Sequence, residues 1–129
     1  MQRRSFIRSL LGIPALIPLT TLAEIPPHAS LKIQESPVAG FQYYSGERLW
    51  GLMRLGDLLE LQRESSNPYD DRAVVLFWDS YKIGYVPRRD NAAIAQMLDR
   101  DVPLQASITK LGDSNDPWDR VKINVRLIS

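Results

Sequence analysis

The chain has 129 residues, 44% of them hydrophobic and 24% charged, which suits one small folded domain and excludes a disordered or fibrous chain. It contains no cysteine, so disulfides, thiolate metal sites and a cysteine nucleophile are ruled out. The net charge of +1 is uneven: residues 1–23 hold Arg3, Arg4 and Arg8 and no acid, and the remainder carries 13 bases against 15 acids, a net −2. A polyanion would therefore have to be held by a local patch and not by bulk charge.

The first element in chain order is a leader. Arg3-Arg4-Ser5-Phe6-Ile7-Arg8 follows the bacterial twin-arginine pattern, and Ser9 to Ala23 is moderately apolar, broken by Pro14 and Pro18 and closed by a small residue. The expectation is a removable signal peptide over residues 1–23 and an exported, periplasmic protein with no stable membrane span. A cytoplasmic protein with an amphipathic N-terminus is the alternative. Residues 24–37, with three prolines, read as a linker, which leaves 38–129 as the domain.

Within the domain, Val38 to Tyr44 is rich in β-formers and stops at Ser45-Gly46. Glu47 to Gly56 fits a short helix or a wide turn. Asp57 to Arg63 reads as a strand ended by Ser65-Ser66-Asn67-Pro68. Ala73 to Trp78 is almost continuously apolar, as in a strand covered on both faces, and Asp79-Ser80 turns it into Tyr81 to Val86. Asp90 is placed to cap a helix whose Ile94, Met97 and Leu98 share one face. Val102 to Leu111 and Arg120 to Ile128 complete the set, the latter alternating Val121, Ile123, Val125 and Leu127 inward. Six short strands with one or two helices predict a mainly β fold, a small, partly open, OB-like barrel with the helix plugging one end.

Three stretches of this sequence carry a resemblance. Val38-Ala39-Gly40-Phe41-Gln42-Tyr43-Tyr44, then Leu61-Gln62-Arg63-Glu64 with Asn67-Pro68-Tyr69-Asp70 and Arg72-Ala73-Val74, then Lys82-Ile83-Gly84-Tyr85-Val86-Pro87, occur in the order found in the HIRAN domain family. That family is found fused to DNA-repair helicases and also alone in bacteria. The resemblance implies an OB-like barrel that captures the free 3′-hydroxyl end of single-stranded DNA. It puts Tyr43 and Tyr69 as base-stacking surfaces, Asp70 as acceptor for the terminal hydroxyl and Asn67 as an amide donor. Lys82 and Arg88, with Arg89 beside it, are then the phosphate partners. Gln42 stands where members can carry a base, and Tyr85 where a histidine can occur; both can stack or hydrogen-bond, and neither adds charge.

The same residues have simpler readings. Asn67 and Asp70 suit an Asx turn that orders the loop, and Arg88-Arg89 suits a solvated face. Trp50, Trp78 and Trp118 read as packing residues. The lone histidine, His28, lies in the linker, and no Gly-rich phosphate loop is present, so no catalytic residue, metal ligand or cofactor is expected. The resulting expectation is a non-enzymatic nucleic-acid-binding module. Two alternatives stand beside it: an exported barrel that binds a protein, peptide or glycan of the cell envelope, and a metal-assisted hydrolase centred on Asp70 and Asp71.

Overall fold

The computed structural model describes residues 30–128. The expected leader therefore lies outside the described residues. Six strands form one antiparallel sheet: β1 (Ser30–Pro37), β2 (Leu58–Arg63), β3 (Val74–Trp78), β4 (Tyr81–Tyr85), β5 (Leu104–Leu111) and β6 (Val121–Ile128). Their order across the sheet is β1-β6-β5-β2-β3-β4. Two helices accompany them, α1 (Gly46–Leu49) and α2 (Ala92–Asp99), with short 3-10 turns at Phe41–Tyr43, Trp50–Leu52, Arg88–Asp90 and Pro117–Asp119. The fold is mainly β, as the strand pattern predicted, and the sheet is not closed.

Apolar patterning accounts for the strands at the middle of the sheet. In β6, Val121, Ile123 and Val125 are buried and alternate with partly exposed neighbours; in β3, Val74, Val75 and Leu76 are buried in succession. Asp79 and Ser80 have φ values of 47° and 72°, the two left-handed residues that a tight two-residue hairpin requires between β3 and β4. Phe41, Met53, Leu76, Ile83, Ile94, Ile108 and Ile123 are among the fully buried core side chains. Ile94 and Ala95 of α2 join that core.

The two ends of the curled sheet meet at one point. Just beyond β1, Ala39 forms an isolated antiparallel bridge with Tyr85 at the end of β4, its N–H donating to the Tyr85 carbonyl at 2.8 Å and its carbonyl accepting from the Tyr85 N–H at 2.9 Å. Gly84 makes this approach possible: a Cβ there would stand 2.4 Å from the Ala39 carbonyl oxygen, and its φ is 149°.

Three local readings are corrected. The first strand is Ser30–Pro37, inside the stretch read as linker, because an edge strand with one exposed side needs few apolar residues. Val38 to Tyr44 is not a strand: Gly40, at φ 75°, turns the chain into the 3-10 turn Phe41–Tyr43 and drives Phe41 into the core. The residue at the start of α2 is Asn91 and not Asp90, which belongs to the preceding 3-10 turn.

Candidate functional site

Between β2 and β3 the chain makes a loop that its own side chains hold in shape. The Glu64 N–H donates to the Ala73 carbonyl at 3.0 Å, closing the neck. Arg63, the last residue of β2, reaches over the loop: Nη1 donates to the Ala73 carbonyl at 2.8 Å, Nη2 to the Asp71 carbonyl at 2.9 Å, and Nε to the Asp99 carboxylate of α2 at 2.9 Å. Asn67 Oδ1 accepts from the backbone N–H groups of Tyr69 and Asp70 at 2.8 and 3.1 Å, an Asx turn. This leaves Tyr69 82% exposed, with little packing role of its own.

Beside the loop lies a groove of about 460 Å³. Ala73 and Val86 are buried at its inner end; Tyr44, Tyr85, Pro68 and Tyr69 supply its sides, and the exposed Arg88 stands at its rim. Glu64, Asn67 and Asp70 provide its polar lining.

A connected network runs along one side. Lys82 Nζ donates to the Tyr85 hydroxyl at 2.8 Å, that hydroxyl donates to Glu64 Oε1 at 2.7 Å, and Asn67 Nδ2 donates to the same oxygen at 2.8 Å. Lys82 Nζ also stands 4.3 Å from the Tyr44 ring centroid and 4.6 Å from that of Tyr85, a cation over two aromatic faces. The Tyr85 hydroxyl above all, with Asn67 and the Lys82 charge, outweighs burial and holds Glu64 below its ordinary carboxylate range. Burial, the largest influence on Lys82, opposes its charge, but its bond to Tyr85 and the surrounding negative groups together leave its pKa raised. Burial above all, opposed by the bond to Lys82 and helped by the bond to Glu64, raises that of Tyr85.

The structure brings five of the expected residues together: Asn67, Tyr69, Asp70, Tyr85 and Arg88 all line the groove. Lys82 sits behind Tyr85, with its charge engaged. Gln42 and Tyr43 do not line the groove; both are exposed on the 3-10 turn, Tyr43 at 76%, and Tyr44 lines it instead. Arg89 lies with its guanidinium 5.6 Å from the Trp118 ring centroid, away from the lining.

In comparison with known proteins, residues 31–128 match the HIRAN domain family. The chain belongs to that family. The mouse helicase-like transcription factor is 30% identical to it over 79 residues, 60% of this chain and 7% of that protein, so the chain spans only a small part of this relative. The crystal structure of a protein from Lactobacillus plantarum superimposes with a TM-score of 0.68 at 26% identity, covering 79% of this chain and 98% of that one. The crystal structure of the HIRAN domain of human HLTF gives 0.62 at 19% identity, covering 78% and 79%, which establishes the shared fold.

Two functional candidates in this HIRAN domain escaped the sequence reading. Glu64 ends the quoted Leu61-to-Glu64 stretch, and a carboxylate directly after a strand and three residues before Asn67 was the available signal. Asn91, fully buried, donates from Nδ2 to Asp70 Oδ2 at 2.7 Å; nothing local in the sequence marks a pairing across 21 positions. The Asx-turn reading of Asn67 is realised, and both Asp70 oxygens also serve the loop, Oδ1 accepting from the Arg72 N–H at 3.0 Å. Among the described residues no three His, Asp or Glu side chains gather as metal ligands, and no helix is long and apolar enough to cross a membrane.

Proposed function

We propose that this HIRAN domain is a non-enzymatic module that binds single-stranded DNA and takes the 3′-hydroxyl end into the groove. The observation that carries this reading is the exposed Tyr69 ring, held by the Asn67 turn over a cavity of about 460 Å³ with a cation at its rim. A base can stack on Tyr69, where such contacts contribute roughly 1–3 kcal/mol each. Arg88 makes no ion pair among the described residues and is available to a phosphodiester. The carboxylates of the lining suit a hydroxyl and repel a phosphate. With the twin-arginine-type leader, the strands met would be outside the cytoplasm.

The test is a fluorescence anisotropy titration of the full chain at low salt. Short single strands with a free 3′-hydroxyl, strands with a 3′-phosphate and blunt duplexes would be compared. The free 3′-hydroxyl should bind best, and Tyr69→Ala and Arg88→Ala should each weaken it. Added salt should also weaken binding, with a shallow slope because, among the described residues, Arg88 is the one cation that lines the groove. Absence of binding, or full affinity in Tyr69→Ala, would reject the proposal. A second reading, a protein, peptide or glycan partner in the envelope, is favoured by Leu52, Leu55 and Leu58, large apolar residues exposed within one short segment. Co-purification of such a partner without DNA affinity would select it.

A further inference from the structure

Outside its first 23 residues the chain carries a net −2, so a polyanion must be held by local cations, and the groove contributes Arg88. A second cationic group lies on the sheet beside it. Lys122 of β6 and Lys110 of β5 are direct register partners, and Pro37 of β1 is opposite Lys122 on its other side. Lys122 alternates with the buried Val121 and Ile123, which puts this row on the outer face. Like charges directly opposite one another destabilise a strand pair. Neither ammonium is closely neutralised: Lys110 makes no ion pair among the described residues, and Lys122 stands 3.7 Å from Asp119, beyond hydrogen-bond reach. A register shift between Ile108 and Lys110 leaves Thr109 as an extra residue beside the pair. Thr109, Lys110 and Lys122, with Glu35, Ser36 and Pro37, line a hollow of about 470 Å³. Glu35 brings a carboxylate, but Lys32 pairs with it at 3.1 Å.

The hollow and the groove are neighbours. From Glu35 to Ala39 the chain alternates: Ser36 and Val38 are buried, and Glu35, Pro37 and Ala39 are more exposed and share one side. Pro37 borders the hollow and Ala39 borders the groove, separated by about 7 Å of extended chain. Lys122 and then Lys110 follow at about 5 Å per strand.

We infer that Lys110 and Lys122 form a second anion site, which holds backbone phosphates of the bound strand where it leaves the groove across Pro37. The inference rests on the single-strand reading above. Two ammonium groups on adjacent strands can flank one phosphodiester or take two in succession, and the Thr109 hydroxyl adds a donor. A bound phosphate also relieves the repulsion that the empty pair carries. The site reads neither base nor strand end, so it contributes affinity that depends on strand length.

The experiment titrates the full chain with dithymidylate and with an oligothymidylate of about eight nucleotides, a length typical of single-strand sites. Anisotropy and backbone amide signals are followed together. The longer strand should shift Thr109, Lys110 and Lys122 as well as the groove residues, whereas dithymidylate should shift the groove residues alone. The double variant Lys110→Gln, Lys122→Gln should bind the longer strand several-fold more weakly, with a salt slope lower by about 1.4, at ~0.7 per phosphate contact. Its binding of dithymidylate should be native. Lys110→Arg with Lys122→Arg keeps both charges and should keep the native slope. A native slope in the glutamine variant, or no shift at Lys110 and Lys122 with the longer strand, would overturn the inference and leave strand binding intact. Shifts there with inorganic phosphate but not with the strand would overturn it in favour of a free-anion site. Loss of dithymidylate binding in the glutamine variant would overturn it too, since the lysines would then act through the groove. No binding of either strand would reject both readings.

Discussion

Glu64 links the groove to folding through its own ionisation. The Tyr85 hydroxyl, the strongest influence on it, and then Asn67 and Lys82 favour the charged form over the opposing effect of burial, so its folded pKa lies below the ordinary 4.5. A depressed carboxylate contributes stability that is fully present above the unfolded value and is lost as pH falls through the folded one. Denaturant unfolding of the full chain at successive pH values should therefore show a midpoint that falls below about pH 4.5. Glu64→Gln keeps an acceptor for Tyr85 and Asn67 but cannot titrate, and should flatten part of that acid limb. Parallel acid limbs in the two proteins would show that the network does not couple to stability. The residue scale also sets the limit of what the sequence could reveal. Asn67 and Asp70 were recognisable as a pair, but turn-making and ligand-binding call for the same oxygens, and only the geometry shows them engaged with Tyr69, Arg72 and Asn91. Tyr43 and Tyr44 were separable only once Gly40 was known to begin a turn, since in a strand they would have faced opposite ways.

At the scale of elements, legibility followed burial. The hairpin of β3 and β4 was plain because a continuous apolar run meets two turn residues and then a second strand, and the alternation of β6 marked its inward face. The bridge between Ala39 and Tyr85 had no such signal. It joins segments separated by most of β2, β3 and β4, and it depends on the absence of a side chain at Gly84. A Cβ at that position would meet the Ala39 carbonyl oxygen at 2.4 Å and Val38 Cγ1 at 2.6 Å, on backbone with a left-handed φ. Gly84→Ala should consequently destabilise the domain by about 1–3 kcal/mol, from overpacking and backbone strain together. Chemical denaturation measures the cost, and exchange of the Ala39 and Tyr85 amides should accelerate more than that of β6. An unchanged midpoint would mean that the two ends of the sheet are held together by other contacts.

For the whole molecule, the decisive element is the one the sequence hid. β1 reads Ser-Leu-Lys-Ile-Gln-Glu-Ser-Pro, polar enough to pass for the tail of a linker, because its outer edge carries no strand among the described residues. Its inner edge pairs with β6 across seven register positions, from Ser30 with Ile128 to Pro37 with Lys122. Ile33 packs on the core, Ser36 is buried, and Gln34 Nε2 donates to the Asp90 carbonyl at 2.9 Å, tying the strand to the turn before α2. β1 also delivers Ala39 to its bridge with Tyr85, so that one end of the groove depends on it. A chain that begins at Val38 would keep every quoted motif yet leave the backbone of β6 unpaired along one edge and its Val125 less covered. Such a chain should lose its cooperative thermal transition and aggregate on heating, whereas one that begins at Glu24 should melt like the full chain. Far-UV circular dichroism with light scattering on the three chains distinguishes the cases. A cooperative melt at the same temperature from Val38 onward would show that the curled sheet stands on five strands, and that β1 is an accessory to the groove and not its support.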